Sequence, residues 1–243
     1  TAYEISTRDW SSDVCSSDLD DLLFFTNFGR IYSLKVFQIP EGSRTAKGRA
    51  IVNLLQLAEG ERIVRLLCTR AMENKFLVMI TRKGTIKKTD ASEFMKIRST
   101  GTRAINLNDG DELAFCAISS GTDSIVIATK YGQGIHFKEG EVRSMGRNAA
   151  GVRGISLRDD DIVVGLEVIP ETSDLLFATS RGYGKRVKVS DFRVAHRGGL
   201  GVRTIPTDHR NGYVIGLERV ADDSHVLLID TNGDRKSTRL NSS

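Results

Sequence analysis

The sequence is poor in proline, cysteine and tryptophan, with three, three and one in 243 residues. No apolar run approaches the roughly 20 residues a membrane helix needs. Residues 1–20 hold no apolar stretch that could serve as a signal peptide. A membrane or secreted protein is therefore not indicated, and no membrane partner is expected. Cys15, Cys68 and Cys116 are widely spaced and include no Cys-x-x-Cys pair, so neither a disulfide framework nor a zinc site is indicated. Cys68 and Cys116 read as small buried apolar residues. A reducing cytoplasm fits this usage.

Against these scarcities stand 23 glycines, with 40% hydrophobic and 27% charged residues. This is the composition of a globular protein with many tight turns. Two landmarks repeat. A turn glycine follows an apolar run at Gly29, Gly84, Gly132, Gly182 and Gly233, with spacings of 55, 48, 50 and 51. A small residue followed by isoleucine recurs at Ala50-Ile51, Ala104-Ile105, Gly154-Ile155 and Thr204-Ile205, spaced 54, 50 and 50. Independent landmarks that keep one period establish an internal repeat.

Each unit has the texture of short strands: continuous apolar runs of four to six residues bounded by Gly and Asp/Asn. First strands are expected at 50–55, 104–107, 154–157 and 204–207. Second strands are expected at 62–69, 111–119, 160–169 and 211–220. Third strands at 76–80, 125–128, 175–178 and 226–229, preceded by 22–25, enter the turn glycine, and a basic fourth strand follows. An insertion near 69–75 reads as a longer loop. Four strands per period of about fifty residues predict an all-β, propeller-like array with one four-stranded blade per unit. The expected organisation is a half blade at 20–41, blades at 42–95, 96–142 and 143–192, and a partial blade at 193–234. Residues 1–19 and 235–243 lack strand or helix periodicity and read as non-native or disordered flanks. The array is expected to be incomplete and to leave sheet edges exposed.

The formal net charge of +4 says little, but its distribution is regular. Ahead of each small-residue–isoleucine pair lies a glycine-containing segment with bases and no acids. These carry Arg44, Lys47 and Arg49; then Lys96, Arg98 and Arg103; then Arg143, Arg147, Arg153 and Arg158; then Arg193, Arg197 and Arg203. The four segments, 42–53, 96–108, 143–158 and 193–205, sum to +13, which leaves −9 for the rest of 20–234. Acids recur just after them, at Glu59 and Glu61, at Asp109, Asp111 and Glu112, at Asp159 to Asp161, and at Asp208. If blades are related by rotation, one edge is a basic track, the electrostatic footprint of a polyanion binder. Arginine suits bidentate phosphate contact, and the interleaved glycines let backbone N–H groups approach phosphate. The loops contain no aromatic residue, which favours duplex over single strands. No recognition helix is evident, so sequence-nonspecific backbone contact is expected.

The phosphate contacts are accordingly expected from Arg44, Lys47, Arg49, Lys96, Arg98, Arg103, Arg143, Arg147, Arg153, Arg197 and Arg203. Lys35, Lys138 and Lys188, each six residues past a turn glycine, are weaker candidates. His196 lies in a basic loop and could face phosphate; His136, His209 and His225 have no metal-ligand spacing. The acid clusters read as solvated turns rather than metal sites. No Gly-x-x-x-x-Gly-Lys-Ser/Thr loop is present, so ATP is not expected to bind this chain. No metal or cofactor site and no catalytic residue are expected in it either.

These residues resemble the C-terminal domain family of bacterial DNA gyrase A subunits. The matching stretches are Leu22-Leu-Phe-Phe-Thr-Asn-Phe-Gly29, Ala46-Lys-Gly-Arg-Ala-Ile-Val-Asn-Leu-Leu55, Met145-Gly-Arg-Asn-Ala-Ala-Gly-Val-Arg153 and Arg197-Gly-Gly-Leu-Gly-Val202. The resemblance implies a β-pinwheel whose basic perimeter wraps double-stranded DNA. It further implies a parent type II topoisomerase, a two-plus-two tetramer of gyrase A and gyrase B subunits, cytoplasmic and associated with the nucleoid. That enzyme uses ATP and Mg2+ elsewhere to introduce negative supercoils. The family's Gln-Arg-Arg-Gly-Gly-Lys-Gly box is absent; Ser43 to Arg49 and Arg197 to Gly201 resemble its degenerate copies in later blades. Two other readings are the equivalent domain of the topoisomerase IV A-type subunit and a protein-scaffolding propeller. The latter predicts exposed aromatics on a binding face and lacks its usual Trp-Asp and Gly-His signatures here.

Overall fold

A computed structural model describes residues 19–40, 50–98, 100–170 and 173–221, together with the backbone of Glu4–Ser6, His225–Ile229 and Arg235–Arg239. The described chain is all β-strand, connected by turns and short 3-10 turns. Its sheets follow one plan. In the first, Ile63–Cys68 pairs with Asp21–Thr26, which forms a hairpin with Arg30–Lys35, and Arg30–Lys35 carries the two-residue strand Thr102–Arg103. The second runs Leu113–Ser119, Phe76–Thr81, Thr85–Asp90, Val152–Arg153. The third runs Val163–Ile169, Ser124–Thr129, Gln133–Lys138, Val202–Arg203. The fourth has Val214–Val220, Asp174–Thr179 and Gly184–Lys188, with no fourth strand among the described residues. All neighbours are antiparallel. Glu4–Ser6 and Arg235–Arg239, in the segments read as flanks, lie on either side of His225–Ile229 in a further three-stranded sheet.

The strands Ile63–Cys68, Leu113–Ser119, Val163–Ile169 and Val214–Val220 touch one another in turn, so the sheets converge on this inner side. The two-residue strands lie at the opposite, outer edge of each sheet, the rim. Between consecutive sheets the apolar side chains interlock. Leu23, Phe25, Ile31 and Leu67 meet Leu77, Met79 and Leu113; Val78, Ile80 and Ile86 meet Ile127, Ile135 and Phe137. Val126 and Ala128 meet Leu175, Phe177 and Leu217. Phe76–Thr81 and Ser124–Thr129 are thus covered on both faces, which is why their sequences read as unbroken apolar runs. At Gly165, beside a bulge, an added Cβ would overlap Leu217 of the next sheet, so glycine permits the close approach.

The second, third and fourth strand types form within two or three residues of expectation. The first does not: 51–53 is a 3-10 turn, and the short rim strands end at Arg103, Arg153 and Arg203, just before the expected positions. The chain leaves the ladder there because the N–H groups of Ala104 and Ile105 turn inward to the carbonyl of Gly29, at 2.8 and 3.2 Å. Gly84 receives Gly154 and Ile155 in the same way, at 2.8 and 3.4 Å, and Gly132 receives Thr204 at 2.8 Å. Ile105, Ile155 and Ile205 are buried by this dive. A rim strand therefore joins the sheet whose hairpin lies one repeat earlier. Each sheet draws on two repeats and cuts the period at a different phase from 42–95, 96–142 and 143–192. Residues 69–75, read as a longer loop, hold a 3-10 turn, Thr69–Met72. Cys68 and Cys116 are both buried, as expected of small apolar residues, and Cys116 is a free thiol.

Candidate nucleic-acid interface

Among the described residues the rim is built from the glycine-rich basic loops of 96–108, 143–158 and 193–205, each anchored at one end by the dive onto a turn glycine. Gly84 shows why the turn needs glycine: its φ is +86° and its N–H closes the hairpin on Thr81 at 3.0 Å. A Cβ there would also meet the carbonyl oxygen of Ile155 at 2.8 Å. This anchoring fixes the last rim residue in each loop. Arg103 lies opposite Arg30, Arg153 opposite Thr85, and Arg203 opposite Gln133. Each of these partners directly follows a turn glycine, so three exposed arginines occupy corresponding rim positions in successive sheets.

Neighbouring loops touch. Asn106 N–H donates to the Ala149 carbonyl at 3.2 Å, joining the loop of Arg103 to that of Arg153. The next seam is closer: Gly198 N–H donates to Gly154 at 2.6 Å, Ser156 N–H to Gly199 at 2.8 Å, and Ser156 Oγ to Gly198 at 2.7 Å. The basic segments from 96 to 205 therefore lie side by side along one edge.

Of the expected contact residues, Arg44, Lys47 and Arg49 lie outside the described residues. Lys96, Arg98, Arg103, Arg143, Arg153 and Arg203 are exposed, and among the described residues none has a carboxylate partner. Arg103 reaches only Asn106 Oδ1, at 3.2 Å. Arg147 is half-buried, 3.8 Å from Glu93, and its backbone N–H donates to the same carboxylate at 3.1 Å. Arg197 is spent on the seam: its N–H donates to Glu141 Oε2 at 3.1 Å, Nε to the Glu141 carbonyl at 3.0 Å, and Nη1 to the Arg153 carbonyl at 3.1 Å. His196 is 99% exposed, 3.4 Å from the Glu141 carboxylate. Lys35 is paired with Asp21 at 2.7 Å, while Lys138 and Lys188 are exposed at the ends of their strands.

Three features escaped sequence reading. Arg30 sits beside Arg103 and donates to the Thr100 carbonyl at 3.1 Å; its only signal was its place directly after Gly29. Lys87 is buried among the loops rather than exposed on the rim. In three of the four repeats one acid is buried and holds an inner strand to a hairpin turn, whereas Asp208 in the fourth is exposed. Glu61 accepts from Thr26 Oγ1 at 2.6 Å and Tyr32 Oη at 2.9 Å; Asp161 accepts from Thr129 Oγ1 at 2.6 Å and Tyr131 N–H at 3.0 Å; Asp111 accepts from Lys83 N–H at 3.0 Å. Burial and then Glu61 push the Tyr32 phenol up to about 12. These acids serve the turns, so solvated turns describe only their exposed neighbours Asp109, Asp159 and Asp160. Among the described residues no group of three His, Cys, Asp or Glu could hold a metal ion, and no helix is long and apolar enough to cross a membrane.

The repeats have known counterparts. The family "DNA gyrase C-terminal domain, beta-propeller" matches four times, at 20–70, 75–120, 123–170 and 173–221. The DNA gyrase A subunit of Salmonella typhimurium is 43% identical over 222 residues, 91% of this chain and 25% of that protein. Its counterpart in Streptococcus pyogenes serotype M3 is 47% identical over 138 residues, 56% of this chain and 17% of that protein. The chain thus spans at most a quarter of these relatives. The C-terminal domain of DNA topoisomerase IV superposes with a TM-score of 0.83 at 26% identity, covering 92% of this chain and 70% of that one. The DNA gyrase A C-terminal domain superposes at 0.77 and 24% identity, covering 92% and 73%, a likeness of fold. With four matches that each span one inner strand and its hairpin, the chain belongs to the β-propeller family of DNA gyrase C-terminal domains.

Proposed function

We propose that the chain is a non-catalytic domain that binds and bends duplex DNA along its rim, within a gyrase A subunit. The observation that carries the reading is the set of exposed arginines, Arg103, Arg153 and Arg203, at corresponding positions of three sheets and without carboxylate partners. Lys96, Arg98 and Arg143 extend the same track, while Glu61, Asp111 and Asp161 are buried against the hairpin turns. Cations repeated along an outer edge match a phosphate backbone better than any base edge, so contact is sequence-nonspecific and depends on how readily the duplex bends. Supercoiling, ATP and Mg2+ use, and assembly with gyrase B belong to the whole cytoplasmic enzyme in this reading, and this chain needs no cofactor.

A second reading, the corresponding domain of a topoisomerase IV subunit, is favoured by the structural likeness to that domain. In that reading the rim still binds DNA but does not wrap it in the same way, which a topology assay on relaxed circles distinguishes.

The direct test is affinity for unrelated duplexes of equal length over a salt series. Neutralising about six to ten phosphates gives a slope of log K against log salt of roughly −5 to −9, with little sequence preference. A flat slope from folded protein overturns the reading and leaves the rim as a protein-docking edge.

A further inference from the structure

Lys87 lies mid-strand in the second sheet, opposite Met79, and is 0% exposed. A buried ammonium is costly unless its donors are satisfied. Here Nζ donates to the Ala104 carbonyl at 2.7 Å and to the Arg147 carbonyl at 2.6 Å. Ala104 directly follows Arg103 in one rim loop, and Arg147 lies in the next. The side chain thus spans the seam between two basic loops and hydrogen-bonds only to their backbones.

Comparison with the neighbouring sheets shows that the sheet itself does not require a lysine. Three residues past the turn glycine stand Tyr32, Lys87, Ile135 and Lys185. Ile135 fills the position in the third sheet, where Gly198 N–H reaches the Gly154 carbonyl directly and Ser156 and Arg197 add hydrogen bonds across the seam. Lys185 is exposed and reaches the Thr204 carbonyl alone, at 3.2 Å. Among the described residues, two carbonyls converge on the side chain only in the second sheet. Apart from Lys87, the seam there has the Asn106–Ala149 hydrogen bond, and Lys87 supplies the tie that the backbone provides one blade later.

We propose that Lys87 is a positioning residue: it fixes the loop of Arg98 and Arg103 against the loop of Arg147 and Arg153, so that both present cations to one phosphate backbone at a set spacing, without touching nucleic acid. The proposal deepens the DNA-binding reading and rests on it. Burial pushes the Lys87 amine down to about 8, opposed by Glu93 and reinforced by Arg147. The neutral amine still has two N–H groups, one for each carbonyl, so the tie survives deprotonation.

The test is Lys87→Met in the whole chain, a change the equivalent Ile135 indicates the core accommodates. Without DNA, amide exchange at 104–106 is expected to rise about tenfold while 77–80 stays protected, as local opening at a seam predicts. With duplex, affinity is expected to fall roughly five- to tenfold with the salt slope unchanged, because no phosphate contact is lost. Should that variant not fold, Lys87→Gln, which keeps donors but shortens their reach, is read by the same two measurements. Unchanged exchange and affinity overturn the proposal. So does a slope shallower by about 0.9, which would make Lys87 a phosphate ligand. If the wild-type chain shows no salt-dependent affinity, the DNA reading itself fails, and the exchange data still decide whether the tie exists.

Discussion

The N–H of Ala104 donates to the carbonyl of Gly29 at 2.8 Å, across more than one full repeat of the chain. The two sequence landmarks are therefore the two halves of one joint, which is why they share a period. The turn glycine must be left-handed to present its carbonyl, and the small residue must let the following isoleucine dive. Gly84→Ala forces a side chain into φ +86° and against the Ile155 carbonyl. Gly182→Ala meets the same conformational strain, at φ +80°, but nothing lies within 4 Å of its Cβ. Both should destabilise, Gly182→Ala by about 1 kcal/mol and Gly84→Ala by about 2–4 kcal/mol, because overlap adds to strain. Urea denaturation of the two variants measures the difference; equal losses would sink the joint as the explanation.

Arg103, Arg153 and Arg203 are exposed and spend no donor on a carboxylate. Replacing any one by alanine should leave stability within about 0.5 kcal/mol, as for ordinary surface positions. Each should make the salt slope of duplex binding shallower by about 0.9. Arg197→Ala should behave oppositely. Its side-chain Nε and Nη1 hold the seam to the carbonyls of Glu141 and Arg153, so their loss lowers stability by about 1–3 kcal/mol while the slope of the remaining folded protein stays put. Paired melting curves and salt titrations separate the two classes.

The hairpin and inner strands were legible because burial on both faces leaves unbroken apolar runs, as in Phe76–Thr81 and Ser124–Thr129. The phase of the sheets was not. Thr102–Arg103 pairs with Arg30–Lys35 across the whole intervening hairpin of the second sheet, and nothing local in two residues announces a non-local partner. Charge pattern found the rim, since acid-free loops recur once per period. It could not tell Arg203, free at the edge, from Arg197, folded back onto the seam, because the two differ only in what lies next to them. Nor could composition separate Asp161 from Asp159 and Asp160, or expect a lysine at the buried position of Lys87.

Asp161 carries its own prediction. Its carboxylate accepts from Thr129 Oγ1 at 2.6 Å and from the N–H groups of Tyr131 and Ile162, each at 3.0 Å. It thereby clamps the inner strand of the third sheet to that sheet's hairpin. Asp161→Ala strands three donors and should cost about 2–4 kcal/mol by chemical denaturation. Asp160→Ala, on an exposed neighbour, should cost less than about 0.5 kcal/mol. A metal site would instead make both variants, and added divalent ions, matter alike.

The inner strands supply a pH dependence of definite sign. Burial pushes the Glu167 carboxyl up to about 8, with Glu218 adding to the rise and Arg219 and Arg65 opposing it. Unfolded, the same group returns to its ordinary value of 4.5. Between those two values the folded chain binds more protons than the unfolded chain, so stability falls as pH rises. The contribution is fully present below 4.5 and is lost as pH passes through about 8. Glu167→Gln keeps the neutral form at every pH. Its stability relative to wild type should therefore climb steadily from about pH 5 to about pH 8, following the same proton balance, and level off above. Denaturant midpoints of both proteins across that range read the difference. A constant offset would mean that Arg219 and Arg65 hold Glu167 ionised throughout, against the burial that favours its neutral form.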